Sequence, residues 1–353
     1  MPQPSPWIVS PLKDLWIVLP PFVVVAMALL FHTPLAEIES RYSWWTWLVL
    51  IVLVDVAHVY ASIFRTYLSP QAWAKQRTLF IGIPVLCLLF SMLLYQAGVA
   101  VFWSVLAYVA VFHFVRQQWG LMRLYSRFEP KTKLGSTVDA VVIYTATLYP
   151  MLYWMISADR QFVWFVDNEF VTLFSPQILP VLTALYAAIV VVYALRVAQQ
   201  WFTGRMFNLP KNLVIIGTFL SWYVGIVHYN HPLIFTLLNV VSHGVPYMAL
   251  VYFADISGKS RQFIGLGRLL SWQGLVVYVA VLLGLAVFEE SLWELAVWGE
   301  HFSDEFLLDT QWLWLAVPLL ALPQLTHYVL DGFIWRRPRT KTEYVGFVCN
   351  CSI

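Results

Sequence analysis

Charge is what this chain has least of. Asp, Glu, Lys and Arg supply 11% of its 353 residues, under half of the ~25% usual in a soluble domain. Hydrophobic residues supply 60%, and the mean hydropathy is +0.71. So few charges cannot solvate the surface of a water-soluble fold of this length, so an integral, multi-pass membrane protein is expected. It would lie in the inner membrane if the source is bacterial. Cysteine is nearly absent too. Cys87, Cys349 and Cys351 give no disulfide framework. With a net charge of +2 and no basic run that resembles a binding tail, nothing calls for a nucleic-acid partner.

Several motifs are missing, and each absence removes a chemistry. There is no HExxH for a zinc protease, no GxSxG for a serine hydrolase and no phosphate-binding loop. Paired Asp-rich boxes are absent, as are the HxxxH and HxxHH boxes of membrane desaturases and hydroxylases. No segment is rich in Gly and Ser, and no loop is long enough to fold alone. The expectation is therefore a single transmembrane helical domain over 1–353.

Long apolar runs are what the chain does have. Windows of spanning length, ~20 residues, fall near 15–31, 43–64, 78–96, 98–122, 137–157, 177–200, 211–229, 232–253, 269–288 and 311–335. These predict an all-α polytopic protein of about ten transmembrane helices, the first a retained helix rather than a cleaved signal. With both termini in the cytoplasm, all but Arg41 and Arg160 of the 21 Lys and Arg residues fall on the cytoplasmic side, as the positive-inside rule asks. Glu289, Glu290, Glu294, Glu300, Asp304, Glu305 and Asp309 are then assigned to outer loops.

Against this background a few polar residues stand out. An Asp at mid-bilayer costs roughly 2.5–3.5 kcal/mol on insertion scales, so it persists where it faces a partner, an ion or a cavity. Asp55, His58, Ser62 and Arg65 follow the three-and-four spacing that puts them on one helix stripe. His113 is followed on its face by Arg116, Gln117 and Gly120; Asn239 precedes His243; Gln324, His327 and Asp331 repeat the spacing. At 1.5 Å per residue, the four histidines lie about 10–18 Å from the charged inner ends of their helices. One stratum of the bilayer thus holds four imidazoles and two carboxylates.

Imidazole with carboxylate suits iron, zinc, copper or nickel, and helix-borne sets of this kind build metal sites in bundles. The expected ligands are His58, His113, His243 and His327, with Asp55 and Asp331 as ligands or as orienters of imidazole N–H groups. Arg65, Gln117, Asn239 and Gln324 are expected around the cofactor, and Arg65, Arg116 and Arg123 at the rim suit a lipid headgroup. His228 and His231, in the turn HYNHP, are candidates for a second, outer site. The function expected is a membrane oxidoreductase of the hydroxylase, desaturase or oxygenase kind. It would use mono- or dinuclear iron on a lipid or isoprenoid substrate, with a separate electron donor. Copper or zinc could take the same donors. The alternatives are a haem-binding electron-transfer protein and a proton-coupled transporter using the same residues as a relay.

Overall fold

The computed structural model describes residues 5–41, 43–130, 132–157, 164–173, 175–203, 207–257, 271–300, 302 and 304–335. Every regular element among them is helical. The helices are α1 (Pro11–Val18), α2 (Pro20–Arg41), α3 (Trp44–Arg65), α4 (Pro70–Ala97), α5 (Val99–Tyr125), α6 (Lys133–Ile156), α7 (Pro176–Thr203), α8 (Leu209–His228), α9 (Pro232–Ile256), α10 (Trp272–Trp298) and α11 (Thr310–Ile334).

Eight of these, α3–α5 and α7–α11, are long and apolar enough to cross a membrane. They match eight of the ten expected windows. The window near 15–31 is instead a broken pair, α1 and α2, bent by 50° where they meet. Inside α2, Phe31 leaves helical geometry just before Pro34, as a proline ring that clashes with the preceding turn dictates. The window near 137–157 is helix α6, which carries Asp139 and is not among the eight.

Local chemistry sets the helix ends. Ser10, Ser69, Thr132 and Asn208 each accept a backbone N–H from the first turn of α1, α4, α6 and α8, which satisfies a donor the helix cannot. Proline stands at N1 or N2 of α1, α4 and α8, where its missing N–H costs nothing. After α10, Gly299 takes a left-handed φ of 64°, a conformation nearly free of strain only for glycine.

The chain forms two compact units. The first holds residues Met1–Arg41 and Phe114–His243, the second Tyr42–His113 and Gly244–Ile353, so α5 and α9 each contribute to both. In the first unit α6 packs on α7 and α8, and α8 also receives α1 and α2. Lys211 of α8 is 1% exposed, with Nζ 2.8 Å from Glu129 Oε2 and 3.5 Å from Asp139 Oδ2. Arg196 of α7 holds the other Asp139 oxygen at 2.8 Å. Four charges from the ends of successive helices thus cancel in the interior.

In the second unit α3 lies between α10 and α11, and α11 also packs on α4. Small residues make the α3 face narrow: Ala57 and Ala61 are wholly buried, beside Val56, Phe64, Leu282 and Ala286. Residues Trp47–Val56 of α3 are wound as a π-helix, the wide form that often appears beside functional sites. It ends one residue before Ala57, where ordinary α-helix resumes and carries His58.

Candidate metal centre

Three helices of the second unit, α3, α5 and α11, bring one imidazole each to a single point. His58, His113 and His327 are 1%, 3% and 1% exposed, and they offer nitrogens within 4.8 Å of one another. The rings of His58 and His327 have centres 5.0 Å apart and are inclined by 82°. Those of His113 and His327 are 4.7 Å apart and inclined by 65°. Three residues that are distant in sequence therefore meet edge to face rather than as a stack.

The two carboxylates stand against these rings. Asp55 Oδ1 is 3.6 Å from His58 Nδ1. Asp331 reaches two imidazoles at once, with Oδ2 4.0 Å from His113 Nε2 and Oδ1 3.9 Å from His327 Nδ1. Among the described residues, neither nitrogen of His327 has a hydrogen-bond partner. A neutral imidazole carries one donor and one acceptor, and leaving either dry costs about 1–3 kcal/mol. A cation at the centre would satisfy the acceptor side, with a carboxylate in reach for the other.

The dimensions suit one small ion. Nitrogens on the same ion at ~2.1 Å lie at most ~4.2 Å apart, so a spread of 4.8 Å closes by rotamer adjustments of well under 1 Å. Charge fits too: two carboxylates balance a divalent cation, which matters in a site this dry.

Arg65, whose expected neighbours included Asp55, is engaged elsewhere. Its Nη1 donates to both oxygens of Asp255 at 3.0 and 2.9 Å, and its Nε to the Ile334 carbonyl at 3.2 Å. The guanidinium also lies 3.9 Å above the Trp335 ring. Asp55 and Asp331 are thereby left facing histidines. His301, Arg336, Cys349 and Cys351 lie outside the described residues. Gln324 lies near Tyr328, to which it hydrogen-bonds, and the Tyr328 ring is 4.7 Å from that of His113.

The remaining candidates belong to the first unit. His243 is its last residue, 1% exposed, and its ring stacks on Phe114 at 3.7 Å. Gln117 donates to the His243 carbonyl at 2.9 Å, and Asn239 to the Phe235 carbonyl at 2.9 Å. His228 is exposed and sits edge-on to Tyr229, whose ring also stacks with that of His32. Neither His228 nor His231 belongs to a metal-spaced group among the described residues. Twelve helical residues, about 18 Å, separate His231 from His243.

Four features escaped the sequence reading. Tyr247 of α9 donates its hydroxyl to Asp331 Oδ1 at 2.6 Å. Gly244 lets α9 approach α3: a Cβ there would lie 3.1 Å from the Val54 carbonyl oxygen and 3.4 Å from His58 Cβ. Asp255 captures Arg65. Glu289, Glu290 and Glu294, assigned above to an outer loop, are instead inside α10 and 6%, 9% and 2% exposed, with Tyr60 hydrogen-bonded to Glu289. Asp255 and the glutamates obey the same rule of ionisable groups in apolar helices that found the histidines. Tyr247 is one turn beyond His243 on the same face.

Comparison with known protein families, curated proteins and solved structures finds no match to this chain.

Proposed function

We propose that the chain is a membrane-embedded metalloprotein that binds one divalent transition metal through His58, His113 and His327. The observation that carries this reading is the convergence of three buried imidazoles from three helices within 4.8 Å, one of them with both nitrogens unpartnered among the described residues. His243, a histidine in an apolar helix, is kept as a candidate ligand on its sequence pattern alone. Asp55 and Asp331 supply oxygen donors or hold imidazole N–H groups.

Imidazole nitrogens with carboxylate oxygens beside them are a donor set that non-haem iron uses. We therefore assign iron first and an oxidoreductase activity on a lipid or isoprenoid chain. The bound metal would supply the redox chemistry. The residues would hold it away from water, and the surrounding apolar helices suit a hydrocarbon substrate. Close, steeply inclined rings leave no slot for a flat macrocycle, which favours a free ion over haem. Arg65 is already neutralised by Asp255, so Arg116 and Arg123, both over Trp119, are the better candidates for a lipid headgroup. Ten spans with both termini in the cytoplasm remain the topology that the Lys and Arg placement supports.

The test is metal content and the optical spectrum of the purified protein. About one equivalent of a transition metal without a Soret band is expected, falling sharply in His58→Ala, His113→Ala and His327→Ala. Full metal content in all three variants, or none in the parent protein, refutes the site. One observation favours a second reading: the buried carboxylates of Glu289, Glu290 and Glu294 on α10 mark a path for protons or cations, as a coupled transporter requires. Flux into proteoliposomes without turnover of a lipid would select that reading.

A further inference from the structure

Among the described residues, Asp331 is the carboxylate that faces two of the three imidazoles, so its orientation bears on the geometry of the centre. Two side chains hydrogen-bond to Asp331: Trp335, at the C-cap of α11, and Tyr247 of α9. The Tyr247 hydroxyl donates to Oδ1 of Asp331 at 2.6 Å, which is short for an O–H···O bond and typical of one to a charged acceptor. The same ring is 1% exposed and stands nearly perpendicular to both His58 and His327, at 82° and 86°. Gly244, one turn earlier on the helix, leaves room for the approach, because a Cβ there would lie 3.1 Å from the Val54 carbonyl oxygen and 3.4 Å from His58 Cβ.

The two carboxylate oxygens are thereby made unequal. Oδ1 accepts the tyrosine hydroxyl and lies 3.9 Å from His327 Nδ1, while Oδ2 lies 4.0 Å from His113 Nε2. We infer that Tyr247 is a positioning residue of the centre: with Trp335 it orients Asp331, and it alone also walls two of the ligand imidazoles with its ring. This role rests on the metal reading proposed above. Partners of this kind, which orient a ligand without touching the ion, are worth 10–100-fold in metal affinity. Replacing the tyrosine should free Asp331 to turn, to offer both oxygens or neither, and so to change the coordination geometry as well as the affinity.

The experiment uses the full chain, purified in detergent, stripped with a chelator and titrated with cobalt(II), whose visible bands report coordination geometry. Tyr247→Phe removes one oxygen and keeps the ring. It is expected to bind cobalt about 10–100-fold more weakly and with shifted bands. Asp331→Ala is the second arm and should also shift the bands. In the double variant the affinity loss should be less than the sum of the two, since both act through one contact. Unchanged bands and affinity in Tyr247→Phe overturn the positioning role alone. Unchanged bands in Asp331→Ala overturn it too, even if Tyr247→Phe proves too unstable to titrate. A parent protein that gives no cobalt bands overturns the metal reading, and this role with it.

Discussion

A single methyl group at Gly244 tests the packing that supports the centre. In Gly244→Ala the new Cβ would stand 3.1 Å from both the carbonyl oxygen and Cγ1 of Val54, and 3.4 Å from His58 Cβ. Cγ1 can rotate, but the carbonyl oxygen belongs to the α3 backbone and cannot. Helix α9 must therefore back away by a few tenths of an ångström at the turn beside a ligand. Overpacking of this kind costs typically about 1–3 kcal/mol, while replacing a mid-helix glycine by alanine returns about 1 kcal/mol of propensity. The net loss of stability should then be small, about 0–2 kcal/mol. The loss of metal affinity should be larger in proportion, about tenfold, because ligand geometry is sensitive to sub-ångström shifts that a fold absorbs. Gly332→Ala, adjacent to Asp331, is the matched control, since a Cβ there meets nothing within 4 Å. It should leave affinity unchanged and stability unchanged or slightly raised. Thermal unfolding and cobalt titration of both variants read the two quantities. Equal metal affinity in Gly244→Ala and the parent protein would refute the close approach as a support of the site.

Two further outcomes are expected. Lys211→Met should destabilise the first unit by about 3 kcal/mol, the low end for breaking a buried pair, because Glu129 and Asp139 keep Asn208 and Arg196 at 2.8 Å; Arg196→Gln, at 24% exposure, should cost under about 1 kcal/mol, and equal losses in thermal unfolding would contradict the network. Reporter fusions after Arg127 and after Lys341 should both read cytoplasm and one after Glu300 the outside. A cytoplasmic signal after Glu300 would break the ten-span topology.

Much of this protein follows from the sequence alone. Runs of Val, Leu, Ile and Phe longer than a bilayer is thick have no water-soluble alternative, so eight of the helices and their rough bounds were legible as composition. The ligand candidates were legible for the opposite reason. His58, His113 and His327 are ionisable groups placed where burial is costly, and a residue kept at such a cost announces a partner. Helical periodicity also showed that Asp55 and Asp331 share faces with His58 and His327. What periodicity cannot give is the neighbour that a face meets. That Asp331 spans His113 as well as His327, that Arg65 takes Asp255, and that the α10 glutamates turn inward were decided by the packing of α3 between α10 and α11. Gly244 and Tyr247 were the least legible. Glycine and tyrosine are common in apolar helices, and the importance of each here comes from one contact, to a Val54 carbonyl and to an Asp331 oxygen, that exists only once the helices have closed.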